Sequence, residues 1–240
     1  FPTKDEMADY LEAYAERFRL PVRTGTRVDR LGWNGRRYEV TAGSLRLEAR
    51  NVVVAMATYQ EPRVPTFAQQ LRPDIVQLHS LHYRNPSQLR DGAVLVVGAG
   101  NSGAEIAADL APHHTVWLSG RDVGALPFRI DGFLGRRLLG HLVLRVLFHR
   151  VLTVRTPVGR KVRPTVLSRG GPLIRTKTPH LLAAGVRRVG RTTAVEEGRP
   201  RLEDGRVLDV ASVVWCTGFR TGFEDWIDLP VHNGKEPAHE

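Results

Sequence analysis

With 240 residues, the chain can form one large domain or two small ones, and its 42% hydrophobic content is typical of a globular protein. The charged N-terminal residues argue against a signal peptide, and no apolar run is long enough to span a membrane. The single cysteine, Cys216, excludes both a disulfide within the chain and a paired-thiol redox motif. These features together predict a cytoplasmic protein.

The formal net charge of +10 comes from one part of the chain. Between Arg121 and Arg191 there are 16 Lys or Arg residues, and the only acids are Asp122 and Asp131. Because the excess is confined to this segment, it does not indicate a nucleic-acid-binding protein.

The N-terminal region reads as a helix followed by an antiparallel meander. Thr3 and Glu6 form the pattern of a capping box before a helix-periodic run. The dipeptide Asn34–Gly35 predicts a hairpin turn between two short strands. The apolar run Val52–Ala57 predicts a fully buried strand.

A strand, a glycine-rich turn and a helix follow one another in the middle of the chain. The apolar run Val94–Val97 leads into Gly98–Gly103, which has the pattern G-x-G-x-x-G, and a helical run then reaches Leu110 before Pro112. This is the context that a dinucleotide-binding fingerprint requires. The alternative is a glycine-rich turn with no ligand.

Each glycine of the fingerprint has a predicted task. Gly98 allows the sharp turn, Gly100 allows the backbone to approach a pyrophosphate, and Gly103 allows the helix to lie close to the sheet. The helix N-terminus offers free N–H groups and partial positive charge to phosphates. Residues Gly98, Gly100, Asn101, Ser102 and Gly103 are therefore predicted to surround the phosphates.

The end of the next strand predicts which nicotinamide dinucleotide binds. NAD sites carry an Asp or Glu there, which binds the ribose 2′-hydroxyl, but this chain has Ser119, Gly120 and Arg121. A guanidinium matches phosphate oxygens, and a hydroxyl adds a donor. We therefore predict NADP(H), with Ser119 and Arg121 at the 2′-phosphate; alternatively, Arg121 is one more base of the basic segment.

The basic segment 121–191 has two interpretations. Its bases Arg137, His141, Arg145 and His149 would form one stripe on a helix. Such a helix would either contact a membrane surface or an acidic partner as a peripheral element, or pack as a lid on its own domain.

The C-terminal part contains a second buried strand, Val210–Thr217. Cys216 within it is expected to be a small core residue rather than a nucleophile. No metal-ligand spacing and no catalytic triad motif occurs in the sequence, so no metal site is predicted and the catalytic residues stay unassigned.

Several motifs resemble those of the NADPH-dependent flavin-containing monooxygenases and their Baeyer–Villiger relatives. Residues 52–65 are similar to the family's first strand ending in an Ala-Thr-Gly turn, although Met56 and Ala57 depart from that pattern. Residues 79–83 resemble its linker motif, and residues 209–220 resemble its second Ala-Thr-Gly strand. The fingerprint at 98–103 matches the family's NADPH motif.

The resemblance implies an α/β fold in which a Rossmann-like NADP-binding domain is inserted into a partial FAD-binding domain that carries the antiparallel meander. It predicts FAD-binding residues 1–65, a linker at 66–93, the NADP-binding domain with its basic insert at 94–191, and a return to the FAD-binding domain at 192–240. Because the family carries an earlier glycine motif for FAD, we expect the chain to be an internal fragment, inactive on its own.

The resemblance further implies an oxidoreductase of monooxygenase type with the cofactors FAD and NADP. NADPH would reduce FAD, and a peroxyflavin would oxygenate a small nucleophilic or carbonyl substrate with molecular oxygen. The alternatives are a flavin reductase or dehydrogenase without oxygen insertion, and a non-catalytic NADPH-binding module with a basic docking surface. The resemblance places five residues near FAD: Thr58, Tyr59, Gln60, Thr217 and Gly218. It places His79 and Tyr83 at the hinge between the domains.

Overall fold

The computed structural model describes residues 2–57, 59–125, 142–153, 155–162 and 171–230. Contacts divide the chain into two units, one of residues 1–60 with 221–240 and one of residues 61–220.

The first unit begins with the predicted helix. Helix α1 spans Lys4–Arg17, and the capping box is formed because the Thr3 hydroxyl accepts a hydrogen bond from the backbone N–H of Glu6, while the Glu6 carboxylate accepts one from the backbone N–H of Thr3. The meander follows as strands β1 (Arg30–Trp33), β2 (Tyr38–Ala42) and β3 (Leu45–Ala49), which pair antiparallel in that order. Both predictions are confirmed.

The predicted buried strand at Val52–Ala57 is wrong. These residues have no strand structure, and 86% of the surface of Val53 is exposed. Of the residues in this segment, only Val52 and Met56 pack on the small core of this unit, which is built around Leu31. An apolar run becomes a strand only where neighbouring strands satisfy its backbone groups, and no described strand pairs with this segment.

The second unit is built on a five-stranded parallel sheet. Its strands are β5 (Val76–His79), β6 (Ala93–Val97), β7 (Thr115–Ser119), β8 (Arg187–Val189) and β11 (Ser212–Trp215), in the order β5-β11-β6-β7-β8. Every pairing is parallel, so all carboxyl ends meet at one edge. A parallel sheet of this kind is expected for a Rossmann-like nucleotide-binding domain, and the predicted α/β class is confirmed.

Helices cover one face of this sheet. Helix α2 spans Asn101–Leu110 and helix α3 spans Thr178–Ala183, after which Gly185 with φ +85° ends the turn. Alternate strand residues, such as Val94 and Val96, pack in the core on the α2 side.

The opposite face of the sheet has a core of its own. There Leu95 and Val97 pack with Trp215, next to a short 3₁₀ helix at Thr66–Gln70. The antiparallel pair β9 (Thr192–Glu196) and β10 (Arg199–Leu202) lies against the same core, since Leu202 is one of its buried residues.

The remaining described elements are short. Strands β4 (Glu61–Pro62) and β12 (Phe219–Arg220) pair antiparallel, and a 3₁₀ helix spans Pro86–Gln88. Within the basic segment, a π-helix spans Leu142–Val151, and residues 157–162 form a further short helix.

Two strands lie outside the region in which the sequence placed the nucleotide-binding fold. Strand β5 falls within the predicted linker at 66–93, and β11 falls within the predicted return at 192–240. Both belong to the sheet that carries the fingerprint, because β11 pairs with β5 on one side and with β6 on the other. Long-range pairing of this kind leaves no mark in the local hydrophobic pattern.

Candidate functional site

The glycine-rich loop follows β6 at the carboxyl edge of the parallel sheet. Gly98 has φ +112°, and a Cβ built on it would lie 2.2 Å from the carbonyl oxygen of Cys216, at the end of β11. A Cβ on Gly103 would lie 1.8 Å from the carbonyl oxygen of Gly98. Two of the three glycines are therefore required by packing of the protein itself.

The middle glycine has no such packing reason. A Cβ built on Gly100 meets no heavy atom within 4 Å, and its φ of −78° is accessible to any residue. Gly100 is the N-cap of α2, and no side chain caps the helix there. The open space beside Gly100 and the positive end of the helix dipole form a cradle suited to an anion such as a pyrophosphate.

The Asn101 side chain is engaged away from this cradle. Its Nδ2 donates to the carbonyl oxygen of Pro172 at 3.0 Å, and its Oδ1 accepts from the backbone N–H of Ile174 at 2.8 Å. Its amide therefore fixes segment 172–174, and only its backbone N–H stays in the first turn of α2. Ser102 lies next to it and is exposed.

Ser119 cannot contact a 2′-phosphate in this structure, which corrects the prediction. The side chain is completely buried. Its hydroxyl donates to the carbonyl oxygen of Gly190 at 2.9 Å, lies 2.8 Å from the Thr192 hydroxyl and accepts from the Thr192 backbone N–H at 2.9 Å. The register turns Ser119 toward the β8–β9 connection, which it holds in place.

Arg121, which is predicted to bind the 2′-phosphate, lies in the turn after β7. Gly120 has φ +146°, and a Cβ on it would lie 2.8 Å from the backbone nitrogen of Ala99, so this turn packs directly on the glycine-rich loop. Arg121 is exposed and has no hydrogen bond or ion pair with any described residue. The neighbouring carboxylate of Asp122 accepts from the Gly124 backbone N–H at 2.8 Å.

Sequence reasoning missed Arg188, which also reaches this turn. Its Nη2 donates to the Gly120 carbonyl oxygen at 3.3 Å, across a separation of 68 residues. Only the pairing of Arg188 with Leu118 between β8 and β7 reveals this proximity.

His79 lies at the carboxyl end of β5 and is buried. Its Nδ1 accepts from the Leu81 backbone N–H at 3.1 Å, which assigns the proton to Nε2, and Nε2 donates to the Gly218 carbonyl oxygen at 3.1 Å. Burial lowers the pKa of His79 below its ordinary value, against the opposing effect of the Gly218 carbonyl. The ring therefore links two loops as a neutral imidazole.

Tyr83 packs against the core on the α2 side of the sheet and makes one short polar contact through its hydroxyl. Its hydroxyl donates to the carboxylate of Asp109 on α2 at 2.6 Å. Burial and this hydrogen bond raise the pKa of Tyr83 above its ordinary value, so the phenol keeps its proton.

The residues predicted near FAD belong to different units. In the second unit, the Thr217 hydroxyl donates to the Arg63 carbonyl oxygen, and Gly218 with φ +88° leaves open space around its Cβ position. In the first unit, Tyr59 is exposed and the Gln60 side chain donates to the Ala57 carbonyl oxygen at 2.8 Å. Thr58 lies outside the described residues.

Cys216 has the inert character that the sequence predicts. Burial raises the pKa of its thiol to about 12, so the nucleophilic thiolate is suppressed near neutral pH. The backbone carbonyl of Cys216, rather than its sulfur, makes the close approach to the glycine-rich loop.

Much of the predicted basic stripe lies outside the described residues, including Arg137 and His141. Of its other members, His149 is exposed on the π-helix. None of the helices in the described ranges is both long and apolar enough to cross a membrane. Among the same residues, no group of three or more His, Cys, Asp or Glu side chains could hold a metal ion.

Comparison with known proteins identifies the family. Residues 1–124, just over half of the chain, match the family described as pyridine nucleotide-disulphide oxidoreductase. The chain belongs to this family. An uncharacterized CzcO-like oxidoreductase of Geobacillus kaustophilus is 34% identical to this chain over 245 residues. The match covers 100% of this chain and 67% of the length of the relative. The predicted oxidoreductase class is confirmed.

The flavin monooxygenase likeness is confirmed as well. An indole-3-pyruvate monooxygenase of rice, YUCCA1, is 28% identical over 251 residues, covering 95% of this chain and 62% of the relative. A flavin-containing monooxygenase from Stenotrophomonas maltophilia superposes with a TM-score of 0.70 at 25% identity, covering 100% of this chain and 64% of that one. The chain thus spans about two thirds of the length of these relatives, whose family implies the cofactors FAD and NADP.

Proposed function

We propose that the protein carrying this chain is an FAD- and NADPH-dependent oxidoreductase of monooxygenase type. The observation that carries the proposal is the open cradle at Gly100, because the backbone there needs no glycine for packing or for φ and yet presents an uncapped helix N-terminus. A dinucleotide pyrophosphate fits this combination of open space and positive dipole. The family and its flavin monooxygenase relatives supply the reaction class.

The residues at the cradle have separate tasks. The first-turn N–H groups of α2, including those of Asn101 and Ser102, bind the pyrophosphate, and Gly100 leaves room for it. Arg121 binds the 2′-phosphate of NADPH, because it is exposed beside the loop and no described residue pairs with it. The hydroxyl of Ser119 supports this turn from inside the protein.

The second nucleotide, FAD, supplies the electron transfer and the chemistry with molecular oxygen when it is bound. Within the second unit, the residues that would hold it are Thr217 and Gly218. At Gly218 the positive φ and the open Cβ position allow a cofactor to approach the backbone closely. His79 fixes the Gly218 carbonyl by its hydrogen bond and so sets the path of this loop.

Two related functions are separated by chemistry. A dithiol reductase would need paired cysteines, whereas this chain contains one cysteine, with a thiol pKa raised to about 12.

A flavin reductase without oxygen insertion would use every residue assigned above, so only analysis of the products distinguishes it from a monooxygenase. The substrate is a small molecule with a nucleophilic nitrogen or sulfur or a carbonyl group.

The experiment uses the full-length protein with NADPH and air. Purified protein should be yellow, and it should convert a panel of amines, sulfides and ketones into products that carry an oxygen atom from ¹⁸O₂. Oxygen consumption that yields only hydrogen peroxide across the panel would refute oxygen insertion and support the reductase. A colourless protein that binds NADPH would refute both enzymatic functions and support the non-catalytic binding module.

A further inference from the structure

The turn after β7 lies where a bound dinucleotide must cross the sheet edge. Its Gly120 packs against Ala99 of the glycine-rich loop, with a built Cβ only 2.8 Å from the Ala99 nitrogen. A dinucleotide whose pyrophosphate occupies the Gly100 cradle therefore places its adenosine ribose beside this turn. A side chain that reaches Gly120 is therefore close enough to contact the substituent at the ribose 2′ position.

Arg188 reaches Gly120 from the neighbouring strand. Arg188 pairs with Leu118, whose side chain belongs to the core on the α2 side of the sheet. Side chains of paired residues point to the same face, so Arg188 extends along the face that carries α2. Its Nη2 ends 3.3 Å from the Gly120 carbonyl oxygen.

The Arg188 guanidinium has further N–H donors available for a ligand. Arginine carries five N–H donors, and the hydrogen bond to Gly120 uses one of them. No described acid forms an ion pair with Arg188. The residue is half-buried, so its charge is less screened by water than a fully exposed one.

We propose that Arg188 is a second specificity-determining cation, acting with Arg121 on the 2′-phosphate of NADPH. The inference rests on the proposed NADPH site. A 2′-phosphate is a doubly charged acceptor that two guanidinium groups bind, whereas a 2′-hydroxyl gains little from them. Arg188 thereby contributes to the preference for NADPH over NADH, and its bond to Gly120 holds the turn that presents Arg121.

The adjacent Arg187 provides a matched control. It has the same charge and lies on the same strand, but it is exposed and its guanidinium carbon lies 5.1 Å from the centroid of the Trp117 ring. Trp117 packs with the core on the opposite side of the sheet. An effect of general basicity would appear equally in Arg187 and Arg188 variants.

The test measures binding of 2′,5′-ADP and 5′-AMP to the full-length protein by titration calorimetry, since the two probes differ only in the 2′-phosphate. Arg188→Gln should raise the Kd of 2′,5′-ADP about tenfold and leave that of 5′-AMP within about twofold. Arg188→Lys keeps the charge and should recover part of the loss, while Arg187→Gln should change neither Kd.

The outcomes separate the inference from the proposal beneath it. If Arg188→Gln leaves both Kd values unchanged, or weakens both probes equally in a protein whose circular dichroism is unchanged, the role of Arg188 is refuted and the NADPH site stands. If Arg188→Gln does not fold, Arg188→Lys decides instead: the ratio of its two Kd values should shift against 2′,5′-ADP relative to the wild type, and an unchanged ratio would refute the role of Arg188. A wild-type protein that binds both probes equally would refute the proposed NADPH preference itself.

Discussion

Replacing Gly100 by alanine separates the ligand-binding role of the glycine-rich loop from its structural role. The φ of −78° at Gly100 suits alanine, and the new Cβ would meet no protein atom within 4 Å. The fold should therefore be unaffected. The same methyl group would occupy the space through which the pyrophosphate must approach the first-turn N–H groups.

Gly103→Ala is the matched control with the opposite expectation. Its Cβ would lie 1.8 Å from the Gly98 carbonyl oxygen, whereas real Cβ contacts below 3.0 Å are essentially never seen. The helix and the loop must move apart, and overpacking of this kind costs roughly 1–3 kcal/mol or more. The free energy of unfolding should fall by that amount.

The assay combines titration calorimetry with NADPH and denaturant unfolding of both variants in the full-length protein. Gly100→Ala should keep the wild-type unfolding midpoint and lose at least about tenfold in NADPH affinity, which corresponds to ~1.4 kcal/mol. Gly103→Ala should unfold at lower denaturant concentration. Unchanged NADPH affinity in Gly100→Ala would refute the assignment of the pyrophosphate to this loop.

Three further predictions follow from single side chains. Arg121→Ala should weaken NADPH about tenfold and NADH hardly at all, as measured by the two Kd values; equal weakening would contradict its 2′-phosphate role. Because burial lowers the pKa of His79 in the folded state, the neutral ring contributes stability that is present above the unfolded pKa of about 6.5 and is lost as the pH falls through the folded pKa. The free energy of unfolding should therefore fall as the pH is lowered below about 6.5. His79→Gln should make the free energy of unfolding less dependent on pH in this range. If the variant shows the same slope as the wild type, other groups cause the pH dependence. Tyr83→Phe removes the 2.6 Å bond to Asp109 and should cost about 1 kcal/mol in unfolding free energy, and no change would show that the contact is not formed in solution.

The sequence predicted the local features of the nucleotide-binding fold correctly. The strand Val94–Val97, the glycine pattern and the following helix are specified by neighbouring residues, so no distant contact is needed to recognise them. The capping box at Thr3 is equally local, and it is formed as predicted.

The features that failed depend on distant parts of the chain. The segment Val52–Ala57 has the composition of a buried strand but lacks a described pairing partner. Ser119 ends its strand at the predicted place, but the register of β7 with β8 directs its hydroxyl to Gly190 and Thr192.

The amide of Asn101 shows the same limit, because its partners Pro172 and Ile174 are more than 70 residues away. Arg188 was overlooked for a related reason, since nothing in its sequence neighbourhood indicates the contact with Gly120. A sequence pattern can place a loop at the sheet edge, but the side chains that complete the site are set by the register of the strands.

The most direct test of the whole account is an anaerobic stopped-flow measurement on the full-length protein. Adding NADPH should bleach the flavin absorption band, and NADH at the same concentration should do so more slowly, because the 2′-phosphate contributes to binding. An unbleached flavin band after mixing with saturating NADPH, or a protein without a flavin band, would contradict the assignment as an FAD- and NADPH-dependent oxidoreductase.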